Sequence, residues 1–113
     1  DGVVTSDDVS AGKPAPDGYL LALNRSGADG AASLAVEDSA AGLSAATAAG
    51  LCCLLTPSPW DASALRDASK NAAAVLDHLG EPGEPATVRS GPTCQDGTVT
   101  LKYLETLLSV PDR

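Results

Sequence analysis

Three side chains in this sequence could do chemistry together: Lys13, Glu37 and Asp38. The two acids end the short run Ser33-Leu34-Ala35-Val36, which reads as a buried parallel strand with a carboxylate pair at its C-terminal end. Such a pair suits a hard divalent cation that takes oxygen ligands, and Mg²⁺ is the natural choice. An acidic pair opening a helix is also a common complement to the helix dipole, so both readings stand. Lys13 lies between Gly12 and Pro14, with Pro16 close behind. The prolines predict extended backbone, leaving the lysine few conformations to lose. A fixed ammonium beside carboxylates can hold a phosphoryl oxygen or offset the charge of an acidic nucleophile. Read alone, a loop lysine is a solvated surface charge. It is not part of a P-loop, because no Ser or Thr follows it and no glycine precedes it at the required spacing.

The elements that must position these residues alternate between strand and helix. Gly2–Val4 reads as the end of a strand, and Thr5–Pro16 as a loop with Asp7 and Asp8 as turn residues. Asp17–Ser26 reads as a helix closed by Gly27. Its Tyr19, Leu20, Leu21 and Leu23 occupy more than one stripe, which predicts a well-covered helix. Ser39 is placed to cap a helix over Ala40–Ala49, ended by Gly50. That helix is nearly all small residues and can approach a sheet closely. Leu51–Leu55 is the next buried strand, completing a βαβ unit. Beyond it the pattern predicts a short helix at Asp61–Ala68, an edge strand at Ala73–Leu76, and an exposed Gly/Pro-rich loop at Gly80–Gly97. A closing helix follows at Val99–Val110, with Leu101, Leu104, Leu107 and Leu108 at helical spacing. The expected organisation is one α/β domain: residues 1–79 as the sheet-bearing part, 80–97 as the loop, and 98–113 as a helical segment of the same domain.

Composition bounds the function. Apolar residues make up 43 % of the 113, with Ala the commonest of them, no Phe, no Met and one Trp. A core of small side chains is thin and only marginally stabilising. Fifteen acidic residues against seven basic give a net charge of −8. That excludes nucleic acid and anionic membrane surfaces as natural partners. No apolar run approaches membrane-spanning length, and no signal peptide is visible. Cys52, Cys53 and Cys94 form neither a disulfide framework nor a metal-ligand spacing, so buried thiols in an intracellular, reducing compartment are expected. His78 reads as structural or exposed. Trp60 reads as covering the end of the sheet, with a partner anchor as the alternative.

In order and spacing, Gly12-Lys13-Pro14-Ala15-Pro16-Asp17 followed by Val36-Glu37-Asp38-Ser39-Ala40-Ala41-Gly42 resembles the third and fourth motifs of haloacid dehalogenase (HAD) phosphatases. The branch is that of β-phosphoglucomutase, phosphoglycolate phosphatase and CbbY-type enzymes. Ser6 to Val9, Tyr19 to Ala22, Ala45-Ala46 and Ala48 to Gly50 extend the likeness, which covers about residues 3–57. The resemblance implies a partial Rossmann-like core: a parallel sheet flanked by helices, without the first strands and the cap. It implies that Lys13 contacts nucleophile and phosphate, and that Glu37 and Asp38 hold Mg²⁺, with Asp38 the direct ligand. Ser39 either supports the metal shell or caps its helix. The implied substrate is a sugar phosphate or small organic phosphate, and likeness to chloroplast CbbY-like proteins implies the stroma. The family's nucleophilic Asp, in a DxDGT-like segment, is not in this sequence. Asp96-Gly97-Thr98 has Cys94 where the first Asp should stand and is read as a turn. The chain alone is therefore expected to be inactive. The Val36 strand is expected to be an edge that either the rest of the enzyme or a protein partner covers. The alternative function is a non-catalytic structural subunit built on this fold.

Overall fold

The computed structural model describes residues 2–57 and 69–109. One four-stranded sheet runs through it: β1 (Leu34–Glu37), β2 (Cys52–Leu55), β3 (Ala74–Leu76) and β4 (Val88–Ser90), in that spatial order. The first three are parallel and β4 is antiparallel to β3. Among the described residues three helices flank them: α1 (Asp17–Ser26), α2 (Ala40–Ala48) and α3 (Leu101–Ser109). The result is an α/β fold with a parallel-dominant sheet.

Local chemistry accounts for the helix ends. Gly27 adopts φ 70°, and its N–H reaches the carbonyls of Leu23 and Asn24 to close α1. Ser39 is extended, and its hydroxyl accepts from the Gly42 N–H at 3.1 Å to open α2. Thr100 Oγ1 accepts from the Tyr103 N–H at 3.2 Å and starts α3.

Each sheet face has its own core. Leu43 and Ala46 of α2 pack on Ala35, Cys53, Leu55 and Val75. On the opposite face, Tyr103 and Leu107 of α3 cover Cys52, Leu54, Ala74 and Leu76. Alanines on α2 are what let it sit close against the sheet, and Ala46 is fully buried. β2 is buried along its whole length, as a central parallel strand should be.

Several expectations are corrected. Gly2–Val4 is not a strand: no ladder partner lies beside it among the described residues, and Val3 is 79 % exposed. α1 buries no residue completely, and Leu20 is 48 % exposed, because α1 packs mainly on α2 and leaves its other side open. Gly12–Ala15 is a turn rather than extended chain, closed by the Ala15 N–H on the Gly12 carbonyl at 3.0 Å. The segment Ala73–Leu76 is not an edge. β4 lies outside β3 and comes from the stretch expected to be an exposed loop. That stretch also buries Cys94 and Gly97. Val88-Arg89-Ser90 is too short and polar to signal a strand. The Asp77 carboxylate holds it in place by accepting from the Thr87 N–H at 2.7 Å. β1 and β2 each start one residue later than expected, which brings Glu37 into the ladder. The helix expected at Asp61–Ala68, Trp60, and the last residue of the closing helix, Val110, lie outside the described residues.

Candidate functional site

The site gathers at the C-terminal end of β1, where open α/β sheets bind ligands. Side chains alternate along a strand, so Ala35 and Glu37 share one face while Val36 takes the other. Glu37 is the buried charged residue among the described residues, 7 % exposed, and its carbonyl accepts from the Thr56 N–H at 2.8 Å. A buried carboxylate needs partners. Two arrive from the chain around the Lys13 turn. Lys13 Nζ lies 2.7 Å from Glu37 Oε2, and the Tyr19 hydroxyl donates to the same oxygen. The ammonium also lies 5.6 Å from the Tyr19 ring centroid, within cation–π range. On the far side, the Glu37 carboxylate rests against Gly42 in the first turn of α2.

Burial and the Glu37 hydrogen bond hold the Tyr19 phenol well above the usual tyrosine range. The Cys53 thiol, on β2 under the same carboxylate, is pushed up to about 12, first by burial and then by the Glu37 charge. A cavity of about 450 Å³ opens beside Lys13 and Tyr19, floored by Val9, Gly18 and Ala45.

The fold thus brings Lys13 and Glu37 into contact. Asp38 is exposed at the next position, and Ser39 caps α2. Tyr19 is a site residue that sequence reasoning assigned to helix packing. A signal was present, since a tyrosine in the first turns after a loop lysine can turn its hydroxyl back to the strand end. As for Mg²⁺, Glu37 and Asp38 offer two adjoining carboxylates, but Oε2 of Glu37 already carries two donors. No group of three or more His, Cys, Asp or Glu side chains placed to hold a metal occurs among the described residues. Hard-cation coordination therefore fits in part, with Asp38 the accessible ligand and further oxygens needed from elsewhere.

The remaining candidates are structural. Asp8 accepts from the Thr5 N–H at 2.8 Å in a turn, which holds its carboxyl below the usual range. Asp96 and Gly97 form a left-handed turn, and the three cysteines are buried and form no disulfide among the described residues. His78 Nδ1 accepts from the Gly80 N–H at 2.9 Å. No helix among the described residues is long and apolar enough to cross a membrane.

A mostly parallel sheet with a lysine–carboxylate pair beyond a strand end is a common enzyme scaffold, and comparison with known proteins names the family it resembles. Residues 1–50 match the family described as haloacid dehalogenase-like hydrolase. Sequence and fold are similar to a segment of a haloacid dehalogenase-like hydrolase of the CbbY-like kind. It is 48 % identical over 73 residues to protein CbbY of Cupriavidus necator, covering 65 % of this chain and 28 % of that protein. It is 42 % identical over 82 residues to a CBBY-like protein of Arabidopsis thaliana, covering 73 % of this chain and 25 % of the relative. The crystal structure of CbbY from Rhodobacter sphaeroides in complex with xylulose-(1,5)bisphosphate superposes with a TM-score of 0.59 at 37 % identity, over 68 % of this chain and 33 % of that one. The chain thus spans about a quarter to a third of these relatives' lengths.

Proposed function

We propose that this chain forms the phosphate- and metal-facing half of a Mg²⁺-dependent phosphatase site for sugar phosphates or small organic phosphates. The observation that carries the reading is the Lys13 ammonium held 2.7 Å from buried Glu37 at the end of a parallel strand, with exposed Asp38 at the next position. In this reading Lys13 contacts a phosphoryl oxygen and the nucleophilic carboxylate. Asp38 is the direct Mg²⁺ ligand, and Glu37 supports it through the oxygen that Lys13 does not hold. Bound Mg²⁺ supplies charge neutralisation at the phosphoryl group. The nucleophile is an aspartate from a segment not in this sequence, which forms an aspartyl-phosphate that water then cleaves. The chain alone is inactive for that reason. The sugar-phosphate class is supported by the ligand named for the Rhodobacter structure. A reducing compartment is supported by three buried cysteines that form no disulfide among the described residues, and the plastid stroma is the proposed location, tested by imaging a fluorescent fusion of the full transcript's product.

The test is an assay of the chain with Mg²⁺ and a panel of sugar phosphates, alone and with an added polypeptide carrying a nucleophile strand. No turnover is expected alone. Turnover dependent on Lys13 and Asp38 is expected with the complement. Turnover by the chain alone, or complemented turnover indifferent to Lys13→Ala, would refute the reading. One observation favours a second reading, a non-catalytic subunit packed in a larger assembly. β1 pairs only with β2 among the described residues, and Val36 is 48 % exposed beside it. A chain that co-purifies with a partner over β1 and yields no complemented turnover would favour that reading.

A further inference from the structure

Tyr19 shares one oxygen with Lys13, and this arrangement has a consequence for binding. Glu37 is a buried carboxylate, whereas the Lys13 side chain is 51 % exposed. An incoming phosphoryl group competes with Glu37 for the ammonium. If Lys13 were the lone donor on Oε2, its departure would strand a buried charge, and that cost would oppose binding. The Tyr19 hydroxyl is a neutral donor on the same oxygen. It stays when the lysine leaves. The Tyr19 ring, 5.6 Å from Nζ, also gives the cation a favourable surface near the cavity.

We infer that Tyr19 is a positioning residue: its hydroxyl holds Glu37 so that Lys13 can pass from the carboxylate to a phosphoryl oxygen. This rests on the reading of Lys13 as a phosphate contact. A hydrogen bond to a charged group corresponds to roughly a tenfold change in an equilibrium constant.

The experiment measures inorganic phosphate affinity of the chain by calorimetry, in a double-mutant cycle. Tyr19→Phe keeps the ring and is expected to weaken binding about tenfold. In a Glu37→Gln background the same substitution is expected to change little, because a neutral amide strands no charge when the lysine leaves. A purely packing role for Tyr19 would not produce that suppression. Tyr19→Phe binding as tightly as the parent, while Lys13→Ala binds more weakly, would overturn the Tyr19 proposal alone. Lys13→Ala binding as tightly as the parent would overturn the phosphate reading of Lys13 and the proposal with it. A second measurement does not depend on Tyr19→Phe folding. Glu37→Gln alone is expected to bind inorganic phosphate at least as tightly as the parent, because the lysine then leaves no charge behind. Weaker binding would overturn the proposal.

Discussion

Gly42 and Glu37 compete for one space: a β-carbon on Gly42 would lie 1.7 Å from Oε1 of Glu37 and 2.2 Å from its carboxyl carbon. The first turn of α2 therefore has to be bare for the carboxylate to sit where Lys13 reaches it. Gly42→Ala is expected to destabilise the chain by about 1–3 kcal/mol through overpacking, despite the better helix propensity of alanine. In a Glu37→Ala background the same change is expected to be neutral or stabilising. Urea unfolding of the four chains checks this, and equal cost in both backgrounds would show that the clash is not the cause.

Ser39 separates a structural role from a metal role. Its hydroxyl is engaged with the Gly42 N–H at 3.1 Å. Ser39→Ala is expected to cost about 1 kcal/mol of stability. Complemented phosphatase activity should keep its Mg²⁺ dependence unchanged. A shift in the Mg²⁺ requirement with no loss of stability would make Ser39 part of the metal shell instead.

Cys53 gives a pH dependence with a definite sign. Its thiol is pushed up to about 12 in the folded chain, from a reference value of 9.0. Between these values the unfolded chain has released the proton and the folded chain still holds it. Stability contributed by this group is thus fully present below pH 9 and falls as pH rises toward 12, by about 1.4 kcal/mol per pH unit. Tyr19, also raised, adds to the alkaline loss. Cys53→Ala should flatten the thermal-stability profile above pH 9 while leaving the Tyr19 contribution. At pH 8, thiol reagents should modify Cys53 only after denaturation.

Leu107 and Leu101 lie on the same short helix with opposite fates. Leu107 is fully buried against β2 and β3, and Leu101 is 72 % exposed. Leu107→Ala is expected to cost about 2–5 kcal/mol, a large share of any small domain's stability. Leu101→Ala should fall within about 0.5 kcal/mol of the parent. Comparable losses at both positions would mean that α3 is docked differently.

Much of the site was legible because it depends on near neighbours in sequence. Ser39 before a small-residue helix, and Gly27 after α1, are local hydrogen-bonding and φ requirements that any reader of residues can apply. The carboxylate pair after Leu34-Ala35-Val36 marks a strand end for the same reason. β4 was not legible, because three residues with one apolar side chain carry no periodicity. They become a strand only when β3 presents an edge and Asp77 ties down Thr87. The openness of α1 was equally hidden. Periodicity tells which residues could be covered but not whether anything is there to cover them.

By itself the sequence determined the alternation of elements, the acidic balance, the family resemblance, and the residue types at the candidate site. These follow from turn chemistry, caps, hydrophobic runs and motif order, all local properties. Only the tertiary structure decided what Lys13 touches. It placed a lysine 24 residues from Glu37 on one oxygen of that carboxylate, added Tyr19 to the same oxygen, and set Asp38 facing solvent. The physical reason is alternation along β1. One residue of register decides which of two adjacent carboxylates is buried and must find donors, and which stays exposed at the strand end.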